Sequence, residues 1–281
     1  MIDSLVIDSD ELVGQGGFLA IRRLRLRNHH SDGSLSAPYT NDAVVRPYGQ
    51  DAVVVVIFAR IASKIRVLVR AGLRPTVYLG RDTSVAPLPE APPGLFVTEL
   101  VAGILEVGDH GEHGLATRAA AETLEEAGFV VDPANVIVLG AGALASPGAL
   151  PEKEYFVAVE VDPSQQQTLQ GDGSAMEEGA TTRWLDLDDA IAACVRGEIS
   201  DLKTEVGLRR LRDHLVHLIL ILAPRRLGVK ICERTSGVRT SRSRPNGGEL
   251  PSRKSLTLTL TPTPTTRGVF GFGIADPTTE Q

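Results

Sequence analysis

The sequence predicts an α/β protein, and three observations carry that reading. Residues 52–59 include four consecutive valines, Val53 to Val56, in an apolar run suited to a central strand covered on both faces. Leu115 to Ala127 reads as a helix closed by Gly128, a residue fitted to the left-handed position just past a helix end. Further on, strands and helices alternate: a strand at Tyr155–Val161, a second at Arg183–Leu187, a helix at Leu187–Arg196 ending at Gly197, and a last helix from Thr204 to about Leu222.

The remaining elements follow from local pattern. Phe18 to Arg27 alternates partly at period two and predicts a strand, followed by a turn at His29–Gly33. Ile65 to Arg70 is the expected hairpin partner of the valine strand. Proline marks Pro87–Gly94 as a loop, and Phe96–Leu100 is a short strand leading into Gly103. Val136–Gly140 reads as a strand, Ala145–Gly148 as a turn, and Gln165–Gly179 as a polar loop. After Pro224 the composition turns to Ser, Thr, Arg, Pro and Gly. That stretch predicts a disordered tail, because it holds too little apolar surface to offset its ordering entropy. Three segments result: an N-terminal strand region (1–50), a main domain (51–222) and a low-complexity basic tail (223–281).

Composition bounds the function. The chain has 281 residues, 42% of them apolar, as expected of a globular protein. The net charge of −6 is uneven: residues 223–281 carry ten Lys and Arg against four Asp and Glu, which leaves the first 222 residues at −12. An acidic body argues against nucleic acid as the main partner. Cys194 and Cys232 form no disulfide framework, which fits a reducing compartment. The sequence offers no span long enough for a bilayer and no leader pattern at Met1–Asp8, so the expected location is the cytoplasm.

The most informative stretch is Glu122-Thr-Leu-Glu125-Glu126-Ala-Gly128-Phe129. Spacings of three and four bring the carboxylates to one face of a helix, where like charges repel. Such a face is either solvated or wrapped around a cation, and oxygen ligands favour a hard divalent ion. His110 and His113 with Asp109 and Glu112 match no regular zinc spacing. Gly140-Ala-Gly142 is too short for a dinucleotide fingerprint.

This helix resembles the signature box of the Nudix hydrolases, Gly-x5-Glu-x7-Arg-Glu-U-x-Glu-Glu-x-Gly-U with U apolar. Glu122, Glu125, Glu126, Gly128 and Phe129 match it, and Gly103 takes the place of the first glycine. There are departures. The stretch from Gly103 to Glu122 is about four residues longer than the pattern, with Gly111–Gly114 the expected extra loop. The early glutamate falls on Asp109 or Glu112. Ala121 replaces the box arginine, for which Arg118 is a stand-in, and Thr123 replaces an apolar residue. Flanking segments resemble the ADP-ribose and nucleotide-sugar pyrophosphatases of the superfamily: Arg70-Ala-Gly-Leu-Arg74-Pro75, Ser146-Pro-Gly148 with Glu152, Met176-Glu177-Glu178 before Arg183, and Gly197-Glu-Ile-Ser-Asp201-Leu-Lys-Thr204. The likeness covers roughly residues 15 to 215.

The resemblance implies an α/β/α sandwich with a mixed sheet, and a homodimer formed through the N-terminal region. It implies Mg²⁺, with Mn²⁺ as the alternative, held by Glu122, Glu126, Glu125 and the carbonyl of Gly103 or its neighbour Ala102. Glu125 would alternatively orient a bridging water. Glu177 or Glu178 would be the general base, and Arg70, Arg74 and Glu99 would contact the substrate. The implied reaction cleaves the diphosphate of ADP-ribose or a nucleoside diphosphate sugar. Another nucleotide substrate, or nucleotide binding without catalysis, is the rival expectation.

Overall fold

The valine run forms the centre of the protein. In the computed structural model, which describes residues 1–46, 49–169, 171 and 173–226, strand β4 (Ala52–Ile61) is buried from Ala52 to Ala59. Because side chains alternate along a strand, Val54, Val56 and Phe58 face one layer while Val53, Val55 and Ile57 face the other. Both faces are covered by helices, so every position in the run can be apolar. Full burial of each large side chain stabilises by roughly 1.5–3 kcal/mol.

Around β4 lies an eight-stranded mixed sheet. It contains β5 (Lys64–Leu73), β6 (Phe96–Glu99), β7 (Val101–Ile104), β8 (Ile137–Val138), β9 (Ala143–Leu144), β10 (Lys153–Glu160) and β11 (Thr181–Asp186). The main order is β11-β5-β4-β10-β8, with β6 on β5, β7 on β4 and β9 on β10. The β4–β10 pair is parallel and the others are antiparallel. Two consequences matter for the site. Gly103 pairs with Val53 at the centre of the sheet, and Glu99 pairs with Arg70.

Helix α1 (Pro75–Gly80) follows β5. Helix α2 (Gly111–Ala127) covers one face of the sheet through Leu115, Ala119, Ala127 and the following Phe129. Helices α3 (Leu187–Val195) and α4 (Leu202–Arg226) cover the other through Ala190, Ile191, Leu208, Leu211 and Leu215. The architecture is thus the expected α/β/α sandwich. A separate three-stranded antiparallel sheet precedes it: β1 (Ile2–Gln15), β2 (Ala20–His30) and β3 (Tyr39–Val45). The described residues belong to one compact unit. The expected tail, apart from its first residues in α4, lies outside the described residues, as does Cys232.

Several local expectations change. Gly111–Gly114 is the first turn of α2, not a loop. Four residues approximate one helical turn, so the insertion lengthens the helix while leaving the faces downstream almost unrotated. His29 and His30 belong to β2, and the turn is confined to the residues after them. Helix α4 continues past Leu222 to Arg226. The pattern reading found neither β1, β3 nor the short α1. Gly128 ends α2 as expected, at φ +73°, with its N–H donating to the Leu124 carbonyl. Thr123 is fully buried where an apolar residue was expected. Its hydroxyl donates to the Ala119 carbonyl at 2.6 Å, so the polar group is satisfied inside the helix.

Candidate functional site

Helix α2 and strand β7 meet edge to face, and their closest approach is built on a missing side chain. A methyl group on Gly103 would overlap the Glu122 carboxylate. One turn later, Glu126 accepts a hydrogen bond from the Ala102 N–H at 3.3 Å. Glu122, Glu125 and Glu126 therefore line one wall of a cleft of about 1000 Å³, beside Ala102 and Gly103. Burial pushes the Glu126 carboxyl up to about 7, against the pull of Arg70 and the Ala102 N–H. Glu122 and Glu177 nearby add to the rise.

Cations share the cleft with these carboxylates. Arg70, almost fully buried at the end of β5, reaches Glu126 at 3.2 Å and Glu177 at 3.1 Å. It thereby joins α2 to the polar loop, where Glu177 sits in a short 3₁₀ turn (Ala175–Glu177) and Glu178 is exposed. Arg74, four residues on, lies 2.7 Å from Glu99 and remains partly exposed in the cleft. Lys203, at the start of α4, donates to Glu99 at 2.8 Å and to Asp201 at 2.9 Å. Burial opposes the lysine charge, but Glu99 and Asp201 outweigh it and hold the ammonium above the ordinary lysine range.

The structure brings together Arg70, Arg74, Gly103, Glu122, Glu125, Glu126 and Glu177 around this cleft. Glu178 lines an adjoining cavity of about 520 Å³ shared with Arg70, Glu125, Glu126 and Glu177. Glu99 is buried behind Arg74 at 2% exposure, so it acts on the cleft through its cationic neighbours. Among the described residues no three His, Cys, Asp or Glu side chains are grouped closely enough to hold a metal ion as they stand. The donor chemistry nevertheless fits a hard cation. The acidic wall offers oxygen atoms only, and the glycine at 103 leaves room for a carboxylate where any side chain would fill it.

The site also contains residues that motif reading passed over. Arg46, at the end of the N-terminal sheet, pairs with Glu152 at 2.8 Å and lies 5.3 Å from the ring centroid of Phe18. Arg46, Phe18, Glu152 and Glu154 all line the cleft. Of these, Glu152 is legible in the sequence through the Ser146-Pro-Gly148 segment. Arg46 and Phe18 carry no local signal, because they reach the cleft only through the path of β2 and β3.

Asp109, not Glu112, holds the loop before α2: it accepts from the Glu106 N–H and from Arg118 Nε, each at 2.9 Å. Arg118 pairs in addition with Glu106 at 2.9 Å. Arg118 thus braces this loop through Asp109 and Glu106. We expect Arg118→Ala to cost about 1–2 kcal/mol, as loss of a half-buried charged hydrogen-bond pair. A double-mutant cycle with Asp109→Asn in urea denaturation measures it. Additive losses would show that the pair does not act as a unit.

Neither a protein-family model nor a curated relative matches the chain. Solved structures do match. An ADP compounds hydrolase superposes with a TM-score of 0.54 at 12% identity, over 78% of this chain and 97% of that one. The Nudix domain of Shewanella oneidensis NrtR complexed with ADP ribose gives a TM-score of 0.38 at 14% identity, over 59% and 88%. A C. elegans Ap4A hydrolase in a binary complex gives 0.36 at 18% identity, over 60% and 98%. At these identities the likeness shows the fold alone, and only the first superposition is close enough to argue from. The fold is the one this chain shares with that ADP compounds hydrolase.

Proposed function

We propose that this protein hydrolyses the pyrophosphate bond of ADP-ribose or a nucleoside diphosphate sugar, giving a nucleoside monophosphate and a sugar phosphate. One observation carries the reading: three α2 carboxylates and the cations Arg70, Arg74 and Lys203 share a single cleft. Acids alone would suit a metal, and cations alone would suit any anion. The two together suit a diphosphate that must be neutralised at its oxygens and attacked by water. The shared fold with an ADP compounds hydrolase supports the substrate class.

In this reading Glu122, Glu126, Glu125 and a carbonyl of Ala102 or Gly103 would hold Mg²⁺, with Mn²⁺ as a substitute. The ion would supply charge neutralisation and lower the pKa of a bound water. Arg74 binds the diphosphate as a bidentate donor. Glu177 is better placed than Glu178 to accept the proton of the attacking water, because Arg70 holds it against the Glu126 carboxylate. Water adds to one phosphorus as the bridging P–O bond breaks, and the other phosphate leaves with the bridging oxygen. Arg70, being buried and shared by two glutamates, orients them; direct contact with substrate falls to Arg74. Arg46 over the Phe18 ring, both lining the cleft, offers a stacking surface for a base.

The same reading takes the protein as a homodimer. Ile2, Leu5, Ile7 and Leu12 on β1 are each more than half exposed, an apolar surface of the kind a second subunit covers. Among the described residues no helix is long and apolar enough to cross a membrane.

The test is a substrate panel with purified protein: ADP-ribose, several nucleoside diphosphate sugars, a dinucleoside polyphosphate and nucleoside triphosphates. Mg²⁺ is present, then removed with EDTA and restored. The expected result is metal-dependent release of nucleoside monophosphate, fastest from ADP-ribose or a nucleotide sugar. Preference for triphosphates would replace the substrate assignment, and inactivity on every diphosphate would end the enzymatic reading.

A further inference from the structure

Arg74 is tethered by charge alone, and a second cation shares the tether. Glu99 is 2% exposed at the end of β6. Its Oε2 accepts a hydrogen bond from Lys203 Nζ at 2.8 Å. Its Oε1 lies 2.7 Å from Arg74 NH2 yet receives no aligned hydrogen bond. Lys203 is itself anchored. It donates to Asp201, which also accepts from the Thr204 N–H and hydroxyl, and the Thr204 hydroxyl oxygen accepts from the Leu100 N–H at 2.8 Å. Glu99, Leu100 and the start of α4 are thus locked together, while Arg74 keeps 39% of its side chain exposed.

We propose that Lys203 is a positioning residue for diphosphate binding, acting through Glu99 on Arg74. The inference rests on the reading of the cleft as a diphosphate site. By neutralising part of the Glu99 charge from the protein side, Lys203 weakens the hold of Glu99 on Arg74. The Arg74 guanidinium can then turn to an incoming diphosphate without leaving a buried carboxylate uncompensated. Without Lys203, Glu99 keeps Arg74 as its counter-ion among the described residues, and each diphosphate bound must compete with a buried anion for it.

The experiment compares wild type, Lys203→Met, Lys203→Arg, Arg74→Ala and the Arg74→Ala/Lys203→Met double variant. Inorganic pyrophosphate binding is measured by calorimetry with Mg²⁺, and ADP-ribose hydrolysis is measured in parallel. Lys203→Met is expected to weaken pyrophosphate binding and raise KM by about tenfold, with kcat within about threefold of wild type. Lys203→Arg should recover most of the loss. In the Arg74→Ala background, Lys203→Met should change nothing further, because the residue it acts through is gone. A full loss that persists in that background overturns the proposal, as does a fall in kcat with KM unchanged. Where Lys203→Met fails to fold, Lys203→Gln takes its place in the same cycle. A wild type that binds pyrophosphate but hydrolyses nothing overturns the enzymatic reading, while the binding cycle still decides the role of Lys203. A wild type that does neither overturns both.

Discussion

Glu126→Gln is expected to lower kcat for ADP-ribose by on the order of 10³-fold, about 4 kcal/mol of transition-state stabilisation. The substitution is nearly isosteric. A glutamine oxygen can still accept from the Ala102 N–H, and Arg70 retains Glu177. What disappears is the negative charge that burial already disfavours, so folding stability should change by no more than about 1 kcal/mol. Product release at saturating Mg²⁺, beside a thermal melt of both proteins, separates the two effects. Activity within tenfold of wild type would remove Glu126 from the metal site.

Gly103→Ala should be nearly as severe, with a loss of about 10²-fold in kcat and a raised Mg²⁺ requirement. Its mechanism is steric and local. Gly103 does not occupy the left-handed backbone region, so alanine brings no conformational strain there. The added methyl instead overlaps the Glu122 carboxylate, and that side chain must move away. The strand pairing of Gly103 with Val53 uses backbone atoms only and should survive. A Mg²⁺ titration of activity is the measurement. An unchanged metal requirement would mean that Glu122 does not hold the ion.

Glu126 was legible as soon as the helix was, because i, i+3 and i+4 spacing places side chains on one face whatever the helix packs against. The partner of that face was not. Arg70 precedes Glu126 by 56 residues in the chain, and only the pairing of β5 with β6 and β4 brings it to α2. Lys203 lies in a segment the motif reading quoted, yet its contact with Glu99 depends on where α4 begins over the sheet. Asp109 and Glu112 could not be separated by spacing, because the choice depends on which of them the loop turns toward Arg118.

The amino-acid sequence by itself determined the elements whose periodicity is strong: the doubly buried valine strand, the acidic helix with its glycine stop, and the two helices that follow β11. It also determined the chemistry of the acidic wall, since residue type and helical spacing are local properties. Tertiary structure decided how that wall is completed. It turned the extra four residues into a helical turn, because one turn adds length to α2 with little change of face. It let Arg118 brace the loop through Asp109. And it set Arg70, Arg74 and Lys203 in the same cleft as the glutamates, because ion pairs between distant segments form only after sheet pairing and helix packing have brought their backbones within reach.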